Sequence, residues 1–225
     1  MNVSVVIPAH NAERFITEAI DSVFQQQGCV LEQVIVVDNN STDATMATVE
    51  SAYGSAVIRA SESRPGAAFA RNTGLKLVTG DAIAFLDADD VWLPCKLRRQ
   101  CAELEANPEL SLVFCHGEEF ARSGLSLPVR TEPHAFLAAS GLLARRSAFD
   151  LSGPFPEVAT GEFIAWFGWT QTLGLQTVTL PEVLVRRRIH ETNTTRDRRG
   201  LAAGYAEAMH WLLKQRRGLA TEAER

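Results

Sequence analysis

The sequence predicts an α/β protein with three layers, α/β/α, around a mostly parallel central sheet, and three observations carry that prediction. Over roughly the first ninety residues, short β-branched runs alternate with stretches of helical apolar spacing. Each of three runs ends in polar residues: His10 and Asn11, then Asp38 to Asn40, then Asp87 to Asp90. The last cluster sets three carboxylates directly after the apolar run Ala82-Ile83-Ala84-Phe85-Leu86. A doubly wound sheet gathers such strand ends along one edge, so the three clusters are expected to line one crevice. Acids crowded there repel one another unless something positive joins them. A divalent metal, Mn²⁺ or Mg²⁺, carrying a nucleoside diphosphate meets that need, because hard oxygen ligands suit those ions. A solvated acidic turn capping the next helix accounts for one cluster but not for three in step.

Taken in order, Val3 to Ile7 reads as a buried strand stopped by Pro8, and Asn11 as the cap of a helix from about Glu13 to Gln27. Gln33 to Val37 is the second strand, and Ser41 or Thr42 caps a helix reaching Tyr53. Ala56 to Ala60 is a third strand, Ala67 to Val78 a helix, and Ile83 to Leu86 the strand that meets the acids. Pro94 suits the first turn of a helix running to Asn107. Leu112 to Cys115 and Ser140 to Arg145 read as strands, Glu118 to Pro133 carries no clear pattern, and Phe149 to Phe155 reads as a loop. Gly161 to Leu173 is an aromatic-rich helix, Val178–Leu180 and Val183–Arg188 are extended pieces broken by Pro181, and Leu201 to Gln215 is an amphipathic helix before a frayed tail.

With 225 residues, 46% hydrophobic and 22% charged, the chain has the make-up of a globular protein with ample length for a core. A net charge of −5 argues against nucleic acid as a partner. The four cysteines, Cys29, Cys95, Cys101 and Cys115, show no metal-knuckle spacing and read as reduced thiols, which predicts a cytoplasmic protein. No apolar run approaches membrane-spanning length, so membrane contact is expected to be peripheral if it occurs. Arg186, Arg187, Arg188, Arg196, Arg198 and Arg199 make a basic C-terminal region that reads first as a solvated face.

Several segments resemble one family. Val5-Val6-Ile7-Pro8-Ala9-His10-Asn11, Val36-Val37-Asp38-Asn39-Asn40-Ser41-Thr42-Asp43, Ala70-Arg71-Asn72-Thr73-Gly74-Leu75 and Phe85-Leu86-Asp87-Ala88-Asp89-Asp90 follow in the order found in family-two glycosyltransferases. So do Leu180-Pro181-Glu182-Val183-Leu184-Val185-Arg186-Arg187-Arg188-Ile189-His190 and Asn193-Thr194-Thr195. The resemblance covers Asn2 to about Thr195 and implies the GT-A fold, with inverting transfer of a sugar from a nucleotide-sugar, a UDP-sugar in the first instance. It implies donor contacts from Pro8, Ala9, His10, Asn11, Glu13, Asp38, Asn39, Arg71, Asp87, Ala88 and Asp89. Asp38 and Asn39 would read the base; many relatives carry an acid where this chain has Asn39. Asp87 and Asp89 match the family's DXD motif, with Asp89 and His190 as the expected metal ligands. Glu162 falls at the family's general-base position, where relatives often show an acid pair; a lone acid in a first helical turn also simply suits the helix dipole.

The whole chain is expected to form one domain: 1–107 for the nucleotide, 108–200 for the acceptor side and 201–225 as helix and tail. The acceptor is open among a saccharide, a lipid-linked sugar, a metabolite and a peptide. An aspartyl phosphotransferase usually carries its acidic motif near the N-terminus, and a nucleotidyltransferase brings a glycine-rich basic loop after its first strand; this chain has neither feature. A binding protein of the same fold without turnover is the alternative outside catalysis.

Overall fold

Val3, Val5 and Ile7 pack to one side of the first strand while Val6 packs to the other, and both sides are buried. The neighbouring strands repeat this pattern, which is why they read as unbroken apolar runs rather than alternating ones. The protein, here as a computed structural model, is described for all residues except 122–127, 192, 194–197 and 224–225, and for 198–201, 220, 222 and 223 in the backbone alone. Thr194, Thr195 and Arg196 of the sequence motifs lie outside the described residues.

The strands are β1 (Asn2–Ala9), β2 (Val30–Asp38), β3 (Ile58–Ser61), β4 (Ala82–Phe85), β5 (Val91–Trp92), β6 (Leu110–Ala121), β7 (His134–Ala135), β8 (Leu143–Arg145) and β9 (Gln176–Ile189). The helices are α1 (Ile16–Phe24), α2 (Thr45–Tyr53), α3 (Ala67–Leu75), α4 (Lys96–Ala106), α5 (Arg146–Ser152), α6 (Glu162–Thr172) and α7 (Arg198–Ala223). Among the described residues they build one sheet in the order β3-β2-β1-β4-β8-β6-β9-β5, with β7 beside β6. The first four are parallel, β8 runs against both β4 and β6, and β6 is parallel to β9. One core lies between the sheet and α1, α2 and α4; a second lies between the sheet and α3, α5 and α6. α7 packs outside α6 through Ala208 and Trp211.

The parallel register brings the C-terminal ends of β1, β2 and β4 to one edge, with Ala9 opposite Asp38 and Val6 opposite Phe85. Four expectations need correcting. Asn11 does not cap α1, which begins at Ile16; its backbone is left-handed at φ 48° and its side chain works across the edge instead. Arg146 to Ser152 is a helix rather than part of a loop, burying Ala148 and Phe149. Pro181 does not end its strand: Pro181 and Glu182 bulge out of β9 where Cys115 pairs with Leu180 and His116 with Val183. A bulge is where a residue without an N–H fits a ladder. Within the basic region, Arg186 and Arg187 pair with Glu118 and Glu119 of β6 and Arg188 is buried, so these three are not a solvated face.

Gly74 marks how closely α3 lies on β1. A Cβ there would stand 2.3 Å from Val6 Cγ1, which is fully buried. Gly74→Ala is expected to lower stability by about 1–3 kcal/mol through overpacking, read as a lower urea midpoint. An unchanged midpoint would show that α3 can back away from the sheet.

Candidate active site

At the end of β1 and β2, polar side chains sew the loops together. Asn11 accepts at Oδ1 from the Thr42 N–H at 2.8 Å and donates its own N–H to Ser41 Oγ at 3.1 Å. Glu13 accepts from the Ala44 N–H at 2.9 Å, beside the first turn of α2, where a carboxylate also suits the helix dipole. His10 donates from Nδ1 to the Asn39 carbonyl at 2.7 Å, and Asp38 accepts the Ser41 N–H at 3.2 Å.

Asn39 is buried and its amide is fully committed. Nδ2 donates to the Glu62 and Arg64 carbonyls, each at 2.8 Å, and Oδ1 accepts the Gly66 N–H at 2.7 Å. A carboxylate at this position would face two carbonyl oxygens, so only an amide can hold this loop in this shape. The same loop carries Glu62, which accepts from Arg64 and from Thr73 Oγ1 at 2.8 Å on α3. Gly66 sits at φ 129°, a region that favours glycine, just ahead of α3.

The acidic turn after β4 meets three different environments. Asp87 is half-exposed and bonds Arg71 at 2.6 Å, while the same buried guanidinium bonds Glu162 at the start of α6. Its Nε is buried without a hydrogen-bond partner among the described residues. Ala88 points into the core. Asp89 Oδ2 lies 2.8 Å from His190 Nε2 and accepts from Asn193 Nδ2 at 3.2 Å. Asp90 is buried, accepting from Ser140 Oγ at 2.9 Å and the Arg188 N–H at 3.1 Å. Burial, and then the neighbouring Asp89 and Asp87, push its carboxyl well above the usual range.

Arg188 fastens this turn to its surroundings. Its side chain donates to the Asp89 carbonyl at 3.0 Å and to Glu18 of α1 at 2.6 Å, and its carbonyl accepts from Asn193 at 3.1 Å. Ser140 also accepts the Asp87 N–H at 3.1 Å, and its carbonyl accepts the Trp92 indole N–H at 2.8 Å. Beneath Trp92 lies Lys96, 4.0 Å from the ring centroid, its ammonium lowered to about 8 by burial.

Of the residues singled out in the sequence, the structure joins Arg71, Asp87 and Glu162 in one group, and Asp89 and His190 pair on the same acidic turn. It ties His10, Asn11, Glu13, Asp38 and Asn39 into a second, beside Pro8 and Ala9 at the end of β1. Thr73, on the same helix as Arg71, connects the two through Glu62. Ser140 and Glu62 carry no sequence signal of their own. Asn193 does: it follows His190 at turn spacing, and its Oδ1 accepts the His190 N–H at 2.6 Å.

Among the described residues, no group of three or more His, Cys, Asp and Glu surrounds a common point. Asp89 and His190 nevertheless fit an ion that takes most of its ligands from water and phosphate. A six-coordinate Mg²⁺-sized ion with ligands at about 2.1 Å places adjacent donors about 3 Å apart. The 2.8 Å between Asp89 Oδ2 and His190 Nε2 is close to that spacing.

Similarity to known structures identifies the fold. The chain is similar to the mannosyltransferase PcManGT from Pyrobaculum calidifontis in complex with GDP-Man and Mn²⁺, with a TM-score of 0.73 at 22% identity over 94% of this chain and 64% of that one. It is similar to S. aureus TarS 1–349 in complex with UDP-GlcNAc, with a TM-score of 0.72 at 20% identity over 88% and 61%. The fold is that of the GT-A glycosyltransferases. Residues 4–148, more than half of the chain, match Glycosyl transferase family 2, and the chain belongs to that family. A relative from Escherichia coli, UDP-Glc:alpha-D-GlcNAc-diphosphoundecaprenol beta-1,3-glucosyltransferase WfgD, is 36% identical over 115 residues, 51% of this chain and 44% of that protein. The chain thus spans less than half of that relative's length.

The loop that Asn39 organises has an acid signature. Glu62 is held at about 2, from an ordinary 4.5, first by the Arg64 side chain, then by the Arg64 N–H and Thr73. A depressed carboxyl adds stability that is complete above its unfolded value and is lost as pH falls towards the folded one. Between pH 4.5 and about 2, the melting temperature of the wild type is expected to fall more steeply than that of Glu62→Gln. Equal slopes would remove Glu62 from the acid response.

Proposed function

We propose that this protein transfers a glycosyl unit from a nucleotide-sugar, a UDP-sugar in the first instance, to an acceptor hydroxyl with inversion. The observation that carries this is the Arg71 cluster, which brings the end of β4 and the start of α6 together with Asp89 and His190 close by. Residues 1–107 supply the donor side, with the nucleoside over Pro8, Ala9 and His10 and the base near Asp38. Residues 108–200 supply the acceptor side. Asn39 shapes the base site by holding the loop of residues 62–66 rather than by offering its amide, which is already used.

A divalent metal, Mn²⁺ or Mg²⁺, held by Asp89 and His190 would supply a positive charge for the departing diphosphate. The protein's own task is to position both substrates and move one proton. Arg71, whose guanidinium stands between Asp87 of the acidic turn and Glu162, would give the diphosphate a second cation. Glu162 is the general base, and as it stands Arg71 neutralises it. A diphosphate outweighs a single carboxylate in charge, so donor binding draws the guanidinium towards itself and frees Glu162 to take the acceptor proton. Asp90 is unsuited to that task, being buried and bonded on both oxygens. Glu157 is engaged by Arg64 at 2.9 Å.

The Arg71–Glu162 pair also favours a second reading, in which the donor binds and is not turned over. Release of nucleoside diphosphate in the presence of Mn²⁺, measured over a panel of nucleotide-sugars, separates the two.

Two substitutions test the roles. Asp89→Ala is expected to abolish Mn²⁺-dependent binding of a nucleoside diphosphate in calorimetry; unchanged affinity would reduce Asp89 to an anchor for His190. Glu162→Gln should not weaken donor affinity, since it releases Arg71, and should lower transfer by about 10²–10⁴. Transfer near the wild-type rate would place the base elsewhere.

A further inference from the structure

α7 has two apolar faces, and the fold uses one. Ala208 and Leu212 are buried against α6, where Leu212 also fills the space over Gly168. Tyr205, Met209 and Leu213, four residues apart and therefore in one row, stand 40%, 45% and 47% exposed. Ala202 and Ala206 lie in the same arc and are exposed. A helix bearing a second apolar row has an unmet partner.

Charge identifies that partner. Arg198–Ala223 carries five Lys and Arg against two Glu, in a chain of net charge −5. His210, Lys214 and Arg217 follow one border of the exposed row at helical spacing, and all three are exposed. Apolar residues in a row with cations along their edge suit a helix lying in the boundary of an anionic bilayer, apolar side down and basic side chains at the headgroups. No helix among the described residues is long and apolar enough to cross a membrane.

We propose that α7 docks this protein on an anionic membrane surface through Tyr205, Met209 and Leu213, with Lys214 and Arg217 at the headgroups. The placement has a consequence for the site. Tyr205, at the leading end of the row, packs on Gly161, where a Cβ would come within 2.8 Å of its ring, and Gly161 directly precedes Glu162. A docked α7 therefore holds the candidate base next to the headgroup layer, where a lipid-linked acceptor presents its hydroxyl. This last step rests on the transfer reading; the docking itself does not.

The test is co-sedimentation of the full chain with phosphatidylglycerol vesicles and with phosphatidylcholine vesicles, without donor or acceptor. Binding to the anionic vesicles, weakened by salt, is expected, with little binding to the zwitterionic ones. Met209→Glu combined with Leu213→Glu should weaken it on the order of tenfold or more, and Lys214→Gln combined with Arg217→Gln on the order of tenfold. Both pairs should keep the wild-type melting temperature, since these side chains are exposed. Leu213→Ser alone serves if the acidic pair does not fold. Vesicle binding that ignores both pairs would overturn the proposal. So would a dimer in sedimentation velocity that Met209→Glu and Leu213→Glu dissolve while the vesicles stay unbound, for then a second copy covers the face. Because no turnover is read, failure here leaves the transfer reading untouched, and a transfer-dead protein that still binds vesicles leaves the docking intact.

Discussion

Carboxylates gathered at the end of a buried strand raise one another's free energy, and in this protein the first compensation comes from within, from Arg71. Its guanidinium is buried between Asp87 on the strand side and Glu162 on the helix side, so it joins parts of the chain that meet nowhere else in sequence. Burying an arginine is unfavourable unless its charge is answered, and two carboxylates answer this one. The same pairing ties the first residue of α6 to the acidic turn, just after Gly161 at φ 81°.

The other two acids are handled differently. Asp90 leans towards its neutral form and becomes a bracket between Ser140 and the backbone of β9. Asp89 keeps company with His190 and Asn193 at the half-exposed rim. Three nearly adjacent residues of one type thus serve as ion-pair partner to Arg71, rim partner of His190 and Asn193, and internal tie, and environment alone separates the roles.

The parallel half was legible because strands buried on both faces read as plain apolar runs closed by polar residues. The antiparallel half was legible in part: Leu112 to Cys115 and Ser140 to Arg145 read as strands and fall on β6 and β8. β5 and β7 are two residues long, too short to show a period, and exist through their partners. β9 looked broken because proline is read locally, whereas its pairing with β6 resumes beyond the bulge. α5 looked like a loop because its seven residues lack a cap and leave Leu151 exposed. In the site, charged residues at strand ends could be picked out, but their bonds could not. The exchange of acid for amide at Asn39 looked like a question of base preference; what the sequence could not show is that the amide also holds the loop of residues 62–66.

The strand that brings Arg188 and His190 to the acids contains a count that matters. Across from β6, three residues of β9 have no counterpart: Pro181, Glu182 and Leu184. Side chains on a strand alternate sides, so an odd surplus exchanges odd for even beyond it. Arg188 and His190 share a parity, and so do Arg187 and Ile189. A deletion or insertion of a single residue in this stretch would leave the arginine and histidine letters intact while turning both away from Asp89 together. For two side chains that stand 99 and 101 positions along the chain from Asp89, phase along the strand is as much a determinant as identity.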